Sequence, residues 1–272
     1  MKREPLATQA APRTLPDSRG LNLYHADPSY RALLALYLPA DLHAHLQPHF
    51  ERLGLLAGGE LDALAQTADR NPPLLQHRTR SGEDRQWIDK HPAYRRLETV
   101  AFSEYGLAAM SHRPGVLGWP ERMPPAVKYA LTYLYVQAEF GVCCPLSMTD
   151  SLTRTLSKFG DPALIERLLP ALTSQDMDAL AQGAMFMTEQ GAGSDVGATE
   201  TRARFDGRRW RLTGEKWFCS NADAALAMVL ARPEGAAPGT KGLALFLLPR
   251  TLEDGAPNAY RIVRLKDKLG TR

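Results

Sequence analysis

Two short stretches carry the side chains whose types and spacing could do chemistry. The first is Ala184-Met-Phe-Met-Thr-Glu-Gln-Gly-Ala-Gly-Ser-Asp195. Gly191 and Gly193 permit a backbone that comes close to a flat or phosphorylated ligand, and successive amides in such a turn can form an anion-binding nest. Thr188 and Ser194 add short hydroxyl donors on either side. The second is Gly214-Glu-Lys-Trp-Phe-Cys-Ser-Asn221. If it is a strand, Phe218 and Ser220 point to one face, a ring to stack on beside a hydroxyl, and Trp217 points to the other. Taken singly, the same residues also describe a glycine turn entering a strand and an ordinary half-buried strand.

Other constellations are weaker. His45 and His49 share a helix face but His43 does not, and no Glu-x-x-His accompanies them, so solvated or capping histidines are expected and no metal site. Glu189 and Asp195 read as organisers of backbone and turn. Ser147, Asp150 and a histidine lack the strained elbow that a nucleophilic serine needs. Cys143, Cys144 and Cys219 show no metal spacing, and adjacent cysteines seldom bridge each other. Reduced, mostly packed thiols are expected.

These groups must be positioned by a chain of 272 residues, 44% hydrophobic and 23% charged. That composition excludes a wholly disordered chain, a collagen and a cysteine-stapled miniprotein. No uncharged apolar run is long enough to span a bilayer, and the N-terminus lacks the apolar run of a signal peptide, so a cytoplasmic location is expected. The net charge of +3 is gathered at the ends, +2 over 1–20 and +4 over 260–272. A solvated basic surface explains this, and DNA binding by this chain is not expected.

Residues 1–20, with three prolines and no periodicity, predict a mobile arm. Helices are predicted over 30–38, 41–56, 60–70, from Pro92 to about residue 108, over 126–140 (apolar nearly all round, hence interior), over 151–159 and after Asp161-Pro162. After about residue 180 the pattern changes to short strands over 198–205, 208–212, 227–231, 243–248 and 260–265, with Asp206-Gly207 as a hairpin turn. The fold class is therefore α+β: a helical domain over 21–180, then an antiparallel β-barrel or sandwich domain over 181–272. No closing strands are read after residue 265, so an incomplete β domain is expected, as a truncation or split gene would leave it.

Together, the two stretches and their order resemble the acyl-CoA dehydrogenase family of flavoproteins, most closely its AidB branch. The resemblance is carried also by Asn71-Pro-Pro-Leu-Leu, Cys144-Pro-Leu-Ser-Met-Thr149 and Arg264-Leu-Lys-Asp-Lys-Leu-Gly-Thr-Arg272. It implies FAD between the β domain and the helices. Met185, Phe186, Met187 and Thr188 would lie at the isoalloxazine ring, with Gly193 and Ser194 nearby and Ser194 also touching the acyl-CoA substrate. Phe218, Cys219 and Ser220 complete the implied cofactor set. Phe218 would pack on the ring, Ser220 would donate toward N5, and the Cys219 side chain would point away.

Gln190 stands where many members have proline, and Phe218 where many have tryptophan; both departures favour the AidB branch. The resemblance further implies α,β-dehydrogenation of an acyl-CoA, an electron-transfer flavoprotein as partner and a homo-oligomeric full-length form. The catalytic glutamate would lie in a C-terminal helical domain, so this chain alone is expected to be inactive and to hold no catalytic residue. Two alternatives remain open, a DNA-associated flavoprotein of the alkylation response and a non-catalytic helical interaction module.

Overall fold

The computed structural model describes residues 17–271. The predicted arm therefore falls outside the described residues up to position 16, as does Arg272.

Proline and aspartate place the helix starts. Asp27 accepts the Tyr30 amide at 2.8 Å ahead of α2 (Pro28–Tyr37), and Asp161 accepts the Ala163 amide at 2.9 Å ahead of α8 (Pro162–Leu172). In each the first helical residue is a proline, whose missing N–H would have no partner there in any case. Between them lie α3 (Ala40–Ala57), α4 (Glu60–Arg70), α5 (Pro92–Glu98), α6 (Pro125–Val136) and α7 (Cys143–Phe159); a short α1 (Leu23–Ala26) precedes α2. α5 runs on into a π-helical turn over 99–104, where Val100, Ala101 and Phe102 are buried.

Leu42, Leu46, Phe50 and Leu53 of α3 recur on one face and are fully or almost fully buried, in one core with Leu97, Val100, Leu131, Leu134 and Tyr135. Burying a leucine contributes about 2 kcal/mol. Exposed ion pairs such as Arg19–Asp62 contribute about 1 kcal/mol or less. Packing holds this half together. α6 sits within it by Val127, Leu131 and Leu134, yet Tyr129 and Tyr133 reach solvent, so this helix is less enclosed than its composition suggests.

One element in the helical half was not foreseen. β1 (Leu74–Arg78) and β2 (Asp84–Asp89) form an antiparallel hairpin with an irregularity between Gln76 and Arg78. Most of its side chains are exposed or half-buried, so it leaves little hydrophobic pattern to detect.

The second half is a five-stranded sheet of β3 (Gly183–Phe186), β4 (Arg202–Phe205), β5 (Trp210–Thr213), β6 (Leu226–Pro233) and β7 (Ala244–Pro249). β6 is its spine. β7 pairs antiparallel with residues 226–231, while β3 and β4 pair parallel with residues 226–229 and 232–233 in turn. β4 and β5 form the expected hairpin around Asp206-Gly207. Helices thus precede a sheet as predicted, but the sheet is mixed and not closed into a barrel.

The predicted strand over 260–265 does not form. The physical reason is visible at Ile262. The Gln86 carboxamide donates to its carbonyl at 2.8 Å and accepts its amide at 2.9 Å, taking the place of a neighbouring strand. None of the described helices is long and apolar enough to cross a membrane.

Candidate functional site

Strand β3 ends where the first chemical stretch begins, and helix α7 fixes it. Thr149 Oγ1 accepts the Gly183 amide at 2.9 Å, and a Cβ on Gly183 would lie 3.0 Å from the Thr149 Cα. Only a glycine lets the strand come this close to the helix. Beyond Phe186 the chain leaves the sheet and turns back on itself, with Glu189 and Ala192 bridged.

Gly191 and Gly193 are neither in the left-handed region nor packed against anything; a Cβ at either would meet nothing within 4 Å. Internal strain and packing therefore do not call for glycine at these two positions. What glycine preserves there is an unobstructed backbone. The amides of Thr188, Gly193 and Ser194 have no acceptor among the described residues, and the Thr188, Ser194 and Ser220 hydroxyls are likewise unengaged among them.

The second stretch is a bend, not a strand. Phe218 has φ +58° and Asn221 φ +55°, both left-handed, which breaks the alternation on which a shared face for Phe218 and Ser220 depended. Phe218 is nonetheless 62% exposed, and its ring carries the Lys266 ammonium 4.6 Å from its centroid. A large aromatic in a costly conformation, left in solvent, is poorly explained by folding alone.

The two stretches are zipped together. The Trp217 amide donates to the Thr188 carbonyl at 2.8 Å, and Lys216 Nζ donates to the Met187 carbonyl at 3.0 Å. At the other end Asn221 Nδ2 donates to the Gly183 carbonyl at 3.1 Å. Beneath the turn Glu189 accepts from Lys216 Nζ at 2.7 Å, the Thr201 hydroxyl at 2.5 Å, and the amides of Glu200 at 2.6 Å and Thr201 at 3.1 Å. Burial pushes its carboxyl up, but these donors outweigh burial and bring it down to about 2. A carboxylate so fully engaged is an organiser and cannot act as a base near neutral pH.

The predicted site residues divide between core and surface. Met185 packs beside Leu152, Leu156 and Met228, and Phe186 is buried with Ala227 and Val229, so both would meet a ligand through backbone. Cys219 packs against that second cluster, and burial pushes its thiol up to about 11. Met187, Gly193, Ser194, Phe218 and Ser220 are exposed, and Thr188 is half-buried. A broad open cleft between sheet and helices takes in Phe186, Phe218, Cys219 and Ser220, together with Tyr94 and Gln182. Met185, Met187, Thr188, Gly193 and Ser194 do not line it.

Asn221 is the residue whose importance was missed. An asparagine at the end of a motif is a signal for a left-handed position, and its side chain ties the bend to β3. The remaining constellations disperse. Asp150 Oδ1 lies 2.9 Å from His112 Nε2 and its Oδ2 2.6 Å from Lys128 Nζ. Burial pushes the Asp150 carboxyl up, but these bonds hold it below the ordinary range, and Ser147 takes no part. His45 Nε2 is bonded to the Leu117 carbonyl at 2.9 Å. Among the described residues, no three His, Cys, Asp or Glu side chains gather as metal ligands.

Comparison with known proteins gives this arrangement a context. Residues 14–179 match the Adaptive response protein AidB N-terminal domain, and residues 184–272 match the Acyl-CoA dehydrogenase, middle domain. The chain is 30% identical over 260 residues to Acyl-CoA dehydrogenase family member 11 of Caenorhabditis elegans, covering 92% of this chain and 42% of that protein. It is 34% identical over 234 residues to the Putative acyl-CoA dehydrogenase AidB of Escherichia coli (strain K12), covering 82% and 40%. Among solved structures it is similar to the Bd2924 apo-form, with TM-score 0.81 and 36% identity, covering 93% of this chain and 50% of that one. It is equally similar to Caenorhabditis elegans ACDH-11 in complex with C11-CoA, with TM-score 0.81 and 28% identity, covering 97% and 45%. The chain spans half or less of the length of each of these relatives. With a helical half and a sheet half that each match in order, the chain belongs to the acyl-CoA dehydrogenase family.

Proposed function

We propose that this chain binds FAD and an acyl-CoA thioester, as the helical and middle domains of an acyl-CoA α,β-dehydrogenase. One observation carries the proposal: two unobstructed glycines and an exposed, left-handed Phe218 lie on segments held side by side by one backbone bond and by the Lys216 and Asn221 side chains.

These residues suit a large flat ligand with polar edges. The backbone from Met185 to Thr188 would lie along the ring edge. The Thr188 hydroxyl and the free amides of Gly193 and Ser194 are donors for carbonyl or phosphate oxygens. Phe218 offers a face, Ser220 a hydroxyl to donate toward ring nitrogen N5, and Ser194 a hydroxyl for the thioester substrate. Cys219 would contribute backbone only. When bound, FAD supplies the acceptor for the two electrons that leave the acyl chain as hydride. The chain's own part is to orient: donors held by a rigid bend favour negative charge on the ligand without rearranging. Glu189 is excluded as the α-proton base by its four donors, so proton abstraction is not assigned within the described residues.

Titrating the purified chain with FAD and following flavin fluorescence tests this. Saturable binding is expected, weakened about tenfold by Thr188→Ala or Ser220→Ala, the loss of one net hydrogen bond. No binding by the folded wild-type chain would refute it.

A further inference from the structure

Lys90, Glu98, Gln182 and Asn221 form a single line of hydrogen bonds from the end of the β1–β2 hairpin, through the last residue of α5, to the Phe218–Asn221 bend. Lys90 Nζ donates to Glu98 Oε1 at 2.9 Å, and Gln182 Nε2 donates to the same oxygen at 3.1 Å. Asn221 Nδ2 donates to Gln182 Oε1 at 3.1 Å and to the Gly183 carbonyl at 3.1 Å. Glu98 is 5% exposed, so water has little access to replace these partners.

The chemistry of the four groups gives the line one direction. An ammonium only donates and a carboxylate only accepts. Glu98 beside Lys90 therefore requires the Nε2 end of Gln182, which turns Oε1 toward Asn221. That oxygen in turn requires the Nδ2 end of Asn221, the end that also reaches the Gly183 carbonyl. Both carboxamides, each able to flip when isolated, are thus locked by a charge on another element. The bend is then clamped at both ends, by Trp217 on Thr188 and by Asn221 on Gly183.

We propose that Glu98 is a positioning residue: acting through Gln182 and Asn221, it sets the Phe218–Ser220 bend against the flavin. The inference rests on the FAD reading above and adds to it a residue that lies outside both sequence stretches. A simple staple would hold the fold with no effect on the ligand.

Exchange of polarity separates the two. In Gln182→Glu two carboxylates face each other and Glu98 loses a donor. In the double variant Glu98→Gln with Gln182→Glu the repulsion is removed and the single negative charge is kept. Because Lys90 and Gln182 share Oε1 of Glu98, the glutamine at position 98 has to turn its carboxamide, oxygen toward Lys90 and nitrogen toward Glu at position 182, which accepts from Asn221. FAD affinity, the midpoint potential of the bound flavin, amide exchange over 217–221 and the thermal midpoint are to be measured for wild type, single and double variants. The expected result is an FAD affinity about tenfold weaker in Gln182→Glu, with a shifted flavin potential and faster exchange over 217–221. The double variant should recover all three, with affinity within about threefold of wild type. Two results would overturn the inference: a Gln182→Glu variant whose thermal midpoint falls while FAD affinity and potential stay at wild-type values, or a folded double variant that recovers neither. Failure of wild type itself to bind FAD would instead sink the underlying functional reading, so the two failures are distinguishable.

Discussion

Lys216 Nζ lies 2.7 Å from Glu189 Oε1 in a pair whose side chains are 8% and 7% exposed. The pair joins the two stretches from beneath, and the same Lys216 ammonium reaches the Met187 carbonyl. Removing one member leaves the other buried without its charge partner, which typically destabilises by about 3 kcal/mol or more. Lys216→Met should therefore lower the urea midpoint by a corresponding amount.

The same carboxylate predicts an acid dependence. Its folded value of about 2 lies below its ordinary one, so the ionised form is favoured by folding. Its contribution is complete above the ordinary carboxylate range and is lost as the pH falls toward about 2. Unfolding curves from pH 6 to pH 2 should show a decline that is shallower in Glu189→Gln.

Glycines on either side of the first stretch should behave oppositely. Gly183→Ala places a Cβ against Thr149 and Leu152 and should destabilise the chain by about 1–3 kcal/mol. Gly191→Ala and Gly193→Ala meet nothing and should leave thermal stability within about 0.5 kcal/mol. The latter two should nevertheless weaken FAD binding, which fluorescence titration would detect. Unchanged affinity would argue against a ligand at that backbone.

Phe218→Gly relieves a left-handed conformation that costs an L-residue about 1–2 kcal/mol. The variant should melt no lower than wild type while binding FAD more weakly. A fall in the melting temperature with unchanged affinity would show that the ring serves the fold.

The cysteines should separate by reactivity. Cys144 is exposed, whereas burial pushes the Cys143 thiol up to about 12 and the Cys219 thiol up to about 11. A thiol reagent at pH 8 should modify Cys144 well before the others, as mass spectrometry of peptides would show.

What was legible in the sequence follows from how each signal is encoded. Leu42, Leu46, Phe50 and Leu53 are visible because a buried helix face repeats, and Asp161-Pro162 because a cap is local. The β1–β2 hairpin was not, since an exposed ribbon carries no such repeat. The bend at Phe218 was misread because alternation of faces presupposes an extended backbone. Gln86 and Ile262 lie 176 positions apart, and no local pattern announces a side chain standing in for a strand. The line from Glu98 to Asn221 was invisible for the same reason: its members are far apart in the chain and ordinary in type.

The carboxamide of Gln86 has a wider mechanical meaning. Two further contacts join the same ribbon to the sheet half, Arg250 Nη2 to the Gln86 carbonyl at 2.6 Å and a bidentate Arg261–Asp84 pair at 3.0 and 3.1 Å. A ladder peels residue by residue, but a lone amide side chain lets go of both backbone groups in one rotation. Ile262 is accordingly held like a hook in an eye: a single rotamer change at position 86 would release its backbone while the Arg261–Asp84 pair still tethers the tail to the ribbon and the sheet's own pairings stay intact.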